Sequence, residues 1–185
     1  MRLNVFFVIF SAVSALTLAT PFKRDVATVG ADIAAISTQF TGLDTAINNY
    51  PNVGGTLEQA WAIHTAAATL DDSVKKATAD TQATAVFSEA DGQTILASVQ
   101  AIKPTILHAL TGIVDKKSAF KALPIDGIPA LLFQDFKNLN VSTPALFDAL
   151  TANSHVGLVP QLNQVKNAVG ELIVTVLVNL LNSIS

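Results

Sequence analysis

Eight apolar residues, Val26, Val29, Ile33, Ile36, Phe40, Leu43, Ile47 and Tyr50, recur at alternating steps of three and four. Such steps hold side chains on one face of a 3.6-residue turn, whereas a half-buried strand repeats every second residue. The segment from Asp25 to Asn49 is therefore an amphipathic helix that must bury one side against partner helices. It stops before Pro51, because proline disfavours helical geometry in the residue ahead of it.

The same logic carries along the chain. Pro51 to Gly55 make a turn, and Thr56 with Gln59 has the spacing of a capping box, so a second, alanine-rich helix runs to about Ala79. The Thr-rich stretch from Asp80 to Phe87 reads as a loop, and Ser88 with Asp91 starts a third helix. Its stripe, Ile95, Val99, Ile102, Ile106, Leu110 and Ile113, passes Pro104 without changing phase. An interior proline costs about 3 kcal/mol and kinks a helix, so one long bent helix is expected to about Lys121. Leu123 to Gly127 form a turn, and Pro129 suits the opening of a fourth helix carrying Leu132, Phe133, Phe136 and Leu139. Ser142, Thr143 and Pro144 then permit either a kink or a fresh helix with Leu146, Phe147 and Leu150. The last helix begins near Leu158 or Pro160 and is apolar around most of its circumference. Its β-branched residues leave a terminal strand as the lesser alternative. A cleaved lipid-anchor signal is disfavoured by the helical patterning ahead of it and by Asn179 and Asn182. The expected fold is all-α, a single-domain helical bundle of about five helices with a long bent third helix.

Met1 and Arg2 precede an apolar run from Val5 to Leu18, with small Thr17 and Ala19 behind it. Residues 1–19 thus read as a secretory signal peptide, the run being short of the roughly 20 residues a membrane-spanning helix needs. Residues 20–24 form a spacer ending in Lys23-Arg24, either a second trimming site that leaves Asp25 first or a charged flank. The domain proper is then 25–185, an ordinary size for one core, with no transmembrane span. Removing the leader and spacer leaves eight basic residues against fourteen acidic ones, a charge of −6. That balance disfavours nucleic acid as a partner. The chain has no cysteine, so packing alone must stabilise it in an oxidising compartment.

Little looks reactive. His64, His108 and His155 fall on three separate segments with no companion at metal-ligand spacing. Asp71, Asp72, Glu89, Asp91, Asp115 and Glu171 are expected on solvated helix faces or ends. No serine sits in a nucleophile elbow, and Gly54-Gly55 lacks the lysine of a phosphate loop. These readings point away from an enzyme and imply no metal and no cofactor. Asn140-Val141-Ser142 is a glycosylation sequon on the break expected before Pro144, which makes Asn140 a candidate acceptor. Bulky phenylalanines set against alanine-rich or bent helices leave gaps at native packing density, and such gaps are apolar.

The order Arg24-Asp25-Val26-Ala27-Thr28-Val29, then Asp32-Ile33, then Phe40-Thr41-Gly42-Leu43-Asp44-Thr45-Ala46-Ile47, followed by the Ala-rich second helix and the Leu/Val tail, resembles the fungal hydrophobic surface-binding protein A family. That family overlaps the cell wall galactomannoproteins. The similarity in spacing covers about residues 25 to 182. It implies a secreted all-helical domain associated with adsorption to hydrophobic surfaces, recruitment of polyester-degrading esterases, or capture of fatty acids inside the bundle. Wall-anchored members carry Ser/Thr-rich tails that this chain lacks.

The expected function is a secreted, non-enzymatic protein that holds a long-chain fatty acid or other apolar ligand, or that spreads on a hydrophobic surface to which a secreted esterase is recruited. The alternative is a structural or antigenic cell wall mannoprotein binding glycan or protein. The inward stripes nominate Ile36, Phe40, Leu43, Ile102, Ile106, Phe133, Phe136, Leu172 and Val176 as ligand lining, and no carboxylate clamp is evident.

Overall fold

The computed structural model describes residues 25–123 and 127–184, with side chains described through residue 182. The expected signal peptide and the spacer with Lys23-Arg24 lie outside the described residues, as do positions 124–126 of the expected turn. Helix α1 (Val26–Asn49) begins at Asp25, whose carboxylate accepts the amide of Ala27 as an N-cap. Of its stripe, Val29 through Tyr50 are buried and Val26 is partly buried against them.

Helix α2 (Leu57–Ala83) opens with both halves of the Thr56–Gln59 capping box formed. It runs one turn beyond Ala79, correcting the loop expected over 80–87. The polar residues there stay helical because partners satisfy them: the Lys76 ammonium donates to both Asp32 and Asp80, and the Asn153 amide donates to the Thr81 carbonyl. The connection shrinks to Thr84–Ser88, held where the Phe87 amide donates to the Asn153 carbonyl at 2.7 Å.

Helix α3 (Glu89–Asp115) is capped by Ser88, whose hydroxyl accepts the Asp91 amide, and passes Pro104 as one helix. It does not reach Lys121. The chain breaks at Lys116 and turns into a short α4 (Lys117–Lys121), because the Lys116 ammonium donates to the Tyr50 carbonyl and to Asn52 while Phe120 packs on Tyr50 with ring centroids 4.4 Å apart. Helix α5 (Ile128–Asn153) follows Gly127, whose φ of 102° suits glycine, and has Pro129 in its first turn. It continues unbroken through Pro144, with Ser142 and Thr143 buried rather than capping a new start. A 3-10 turn (Val156–Leu158) leads into α6 (Val159–Ile184), which is helical throughout rather than a terminal strand. Val156–Asn182 is long and apolar enough to cross a membrane, yet Leu162, Val165, Val169, Ile173, Val176 and Leu180 lie in the protein core.

The five long helices close a ring in the order α1, α2, α5, α6, α3 and back to α1, with α3 against α6 the slightest contact. Side-chain pairs set the directions. Asp32 meets Lys76 and the Asn49 carbonyl meets Gln59, so α1 and α2 are antiparallel. His64 meets Asp135 and Asp71 meets Ser142, so α2 and α5 are parallel. Asp44 meets His108 and Ile47 abuts Gly112, so α1 and α3 are parallel. Helices adjacent in sequence are thus not always adjacent in the ring. The α2–α3 and α3–α5 connections must cross its ends, and each brings a buried phenylalanine, Phe87 at one end and Phe120 at the other.

Candidate ligand site at the ring axis

All five long helices wall a void of about 30 Å³. Helix α1 supplies Ile33, Ile36 and Phe40, and α3 supplies Val99, Ile102 and Ile106. Helix α5 adds Thr143, Leu146, Phe147 and Leu150, while α2 and α6 add Val74 and Val169. The wall is carbon throughout; Thr143 is its one hydroxyl-bearing residue and contributes no polar surface. A water occupies roughly 10–15 Å³ on this measure, and apolar cavities stay dry. The void is also well below the ~150 Å³ at which an apolar cavity is known to take up benzene. At this volume the void has no room for an acyl chain unless the side chains or helices around it move.

Four of the residues nominated from sequence, Ile36, Phe40, Ile102 and Ile106, meet on this wall. Leu43, Phe136 and Val176 are buried in the packing toward the α4 end, and Phe133 and Leu172 are partly buried against the core. Leu146, Phe147 and Leu150, which follow the Pro144 position where the sequence permits either a kink or a fresh helix, line the void without having been nominated from sequence. Val99 was legible, one turn before Ile102 on the same stripe. Ile33, Val74 and Val169 carry no local signal that separates wall from ordinary core.

Polar side chains lie on the helix seams rather than in the void. His64 Nδ1 is 2.8 Å from Asp135 Oδ2 across the α2–α5 seam. Burial pushes the Asp135 carboxyl above its ordinary range, the His64 partner pulls it down, and the nearby Asp71 charge adds to the rise. Asp71, expected in solvent, is buried: the Ser142 hydroxyl donates to it at 2.6 Å and the Lys75 ammonium lies 2.6 Å away. His108 Nδ1 stands 2.6 Å from Asp44 Oδ1 between α3 and α1. His155 caps the 3-10 turn, its Nδ1 accepting the Gly157 amide at 3.4 Å. Two of the three histidines thus have carboxylate partners far away in sequence, which residue spacing does not reveal. Among the described residues no group of three or more His, Asp or Glu is arranged to hold a metal.

Asn140 sits partly buried within the continuous α5, not on a break. The serine of its sequon is the buried Ser142 that donates to Asp71.

Residues 26–152 match the family described as hydrophobic surface binding protein A. The chain belongs to that family. Hydrophobic surface binding protein A and its structural neighbours are binding proteins. The fold is shared with Afmp4p, solved in complex with palmitic acid, at 25% identity and a TM-score of 0.78 over 84% of this chain and 99% of that one. It is shared too with ligand binding domain 1 of the Penicillium marneffei MP1 protein, complexed with arachidonic acids, at 13% identity and a TM-score of 0.76 over 84% and 99%. Domain 2 of the same protein, also with arachidonic acids, aligns at 17% identity and 0.76 over 89% and 99%. No curated protein sequence matches the chain.

Proposed function

We propose that this protein is secreted and binds a long-chain fatty acid, or an apolar chain of similar length, inside its helical ring without chemically altering it. The carrying observation is the carbon-walled void on the ring axis, to which every long helix contributes. Afmp4p, with the same ring and a quarter of its residues identical, holds palmitic acid. Each methylene moved from water to such a wall is worth about 0.8 kcal/mol, so chain length rather than a polar clamp supplies the affinity. The residues proposed to touch the chain are Ile36, Phe40, Ile102 and Ile106, which line the void. Leu43, Phe136, Leu172 and Val176 become lining as a longer chain pushes toward the α4 end, with Phe133 at the edge.

Adsorption to hydrophobic material is the second part of the reading. Val174, Val178 and Leu181 form an exposed stripe on α6 at steps of four and three, and Leu57 and Trp61 are exposed together on α2. A secreted esterase recruited to such a coated surface is the partner this reading implies. The competing reading, a structural or antigenic wall mannoprotein with a merely packed core, draws on the smallness of the void. A glycan at Asn140 counts for it, while the engagement of Ser142 with Asp71 in the folded helix counts against efficient modification of folded protein.

Native mass spectrometry of delipidated protein titrated with palmitic acid tests the proposal. A saturable mass shift at micromolar ligand is expected. Absence of saturable uptake overturns the container reading, and a solid core then favours the wall-component alternative.

A further inference from the structure

We infer that the ligand passes between α1 and α3, through a gate formed by Ile33 and Ile102, and that its polar end comes to rest outside this gate beside Ser37 and Ser98. This inference rests on the container reading above.

The two long walls of the void are not equally closed. On the outer side of the α1–α3 seam lies a solvent-open groove of about 280 Å³. Its floor includes Ile33 and Ile102, which also line the axial void. These two side chains are therefore the partition between solvent groove and void. The groove of similar volume on the α2–α5 seam shares no residue with the void. The ring ends are crossed by the connections that carry the buried Phe87 and Phe120.

The seam is built to open at one end. Toward the C-terminal ends of α1 and α3 it is pinned: Gly112 lacks the Cβ that Ile47 would meet at 2.8 Å, and His108 pairs with Asp44 one turn earlier. The groove lies about two to four turns before Asp44, where α1 lines it with Gly30, Ile33, Ala34 and Ser37, and a Cβ added at Gly30 would touch nothing within 4 Å. Pro104 lies between this groove and the pinned end. It has no amide to give the carbonyl of Gln100, so α3 bends there at less cost than elsewhere. The α2–α5 seam, by contrast, is tied along its length by His64–Asp135, Asp71–Ser142 and Asn153 with the Thr81 and Thr84 carbonyls.

The chemistry of the polar end follows. The void offers it nothing, whereas the groove offers two hydroxyls, Ser37 and Ser98, and no cationic side chain lines either space. An uncharged polar end, such as a protonated acid, an alcohol or an ester, therefore suits the groove better than a carboxylate.

Filling the groove without touching the void tests the gate. In Gly30→Leu/Ala101→Leu, stopped-flow uptake of palmitic acid by the full chain is expected to slow at least tenfold, with saturable uptake retained at higher ligand concentration. Thr78→Leu/Ala145→Leu, which fills the α2–α5 groove, is expected to leave the uptake rate unchanged. Circular dichroism confirms that each variant is folded. If Gly30→Leu/Ala101→Leu is folded and takes up ligand at the wild-type rate, the gate is wrong while the container reading stands. If the wild-type protein itself shows no saturable uptake, both fall. Hexadecanol is expected to bind at least as tightly as palmitic acid at neutral pH, and a tenfold preference for the ionised acid overturns the assignment of the polar end.

Discussion

Asp135 is held between opposing influences: burial raises its proton affinity, and His64 at 2.8 Å lowers it. His64→Ala removes the lowering influence and strands a buried carboxylate, which is expected to cost about 1–3 kcal/mol at neutral pH. Asp135→Asn is expected to cost less, because an amide oxygen still accepts from the imidazole N–H. The folded-state proton affinity of Asp135 is raised, so the stability linked to its protonation is complete below the ordinary carboxylate range. It is lost as pH climbs through the folded-state value. Urea midpoints measured from acid to neutral pH should therefore fall less steeply in Asp135→Asn than in the wild type. On the void wall, Ile33→Ala or Ile102→Ala enlarges an existing gap and is expected to cost about 2–5 kcal/mol, read as a lowered denaturation midpoint. None of these contacts is written in local spacing, since His64 and Asp135 are separated by 71 residues.

At the scale of elements, helix existence and most helix ends were legible, because periodicity and capping act within about four residues of the site they govern. Thr56 with Gln59, Ser88 with Asp91 and the stop before Pro51 all take the roles their spacing implies. The misread ends share one cause. Asp80 and Thr81 look like loop residues until Lys76 and Asn153 satisfy them, and α3 looks continuous to Lys121 until Tyr50 captures Lys116 and Phe120. Pro144 illustrates the converse: buried neighbours Ser142 and Thr143 carry α5 through a position where sequence permits a break. Pro104 lies in the helix with the slightest ring contact. Pro104→Ala restores a donor to the Gln100 carbonyl and is expected to raise stability, read as a higher thermal midpoint, by up to about 3 kcal/mol, while slowing fatty-acid uptake.

At the scale of the whole molecule, binding and stability are one measurement. A ligand that binds only the folded ring stabilises it by about 2.7 kcal/mol when present at 100 times its dissociation constant. A rise in thermal midpoint with palmitic acid is thus expected, and a constant midpoint at saturating ligand contradicts binding. Surface adsorption is separable from this. Changing Val174, Val178 and Leu181 to serine removes the exposed α6 stripe without altering the void, so retention on a hydrophobic resin should drop while fatty-acid uptake persists.

From the sequence alone came the helices, the face each one buries, the acidic cysteine-free surface and the resemblance to a binding family. Each follows from residue type and short-range spacing. Only the tertiary structure decided the ring order, the crossing of the ring ends by Phe87 and Phe120, and which layer of the stripes leaves a gap. Ile36 and Leu43 lie on the same face of the same helix, yet one lines the void and the other is fully packed. The difference lies in the volumes that α3, α5 and α6 bring to each level of the ring, a sum over residues far apart in the chain that no single stripe contains.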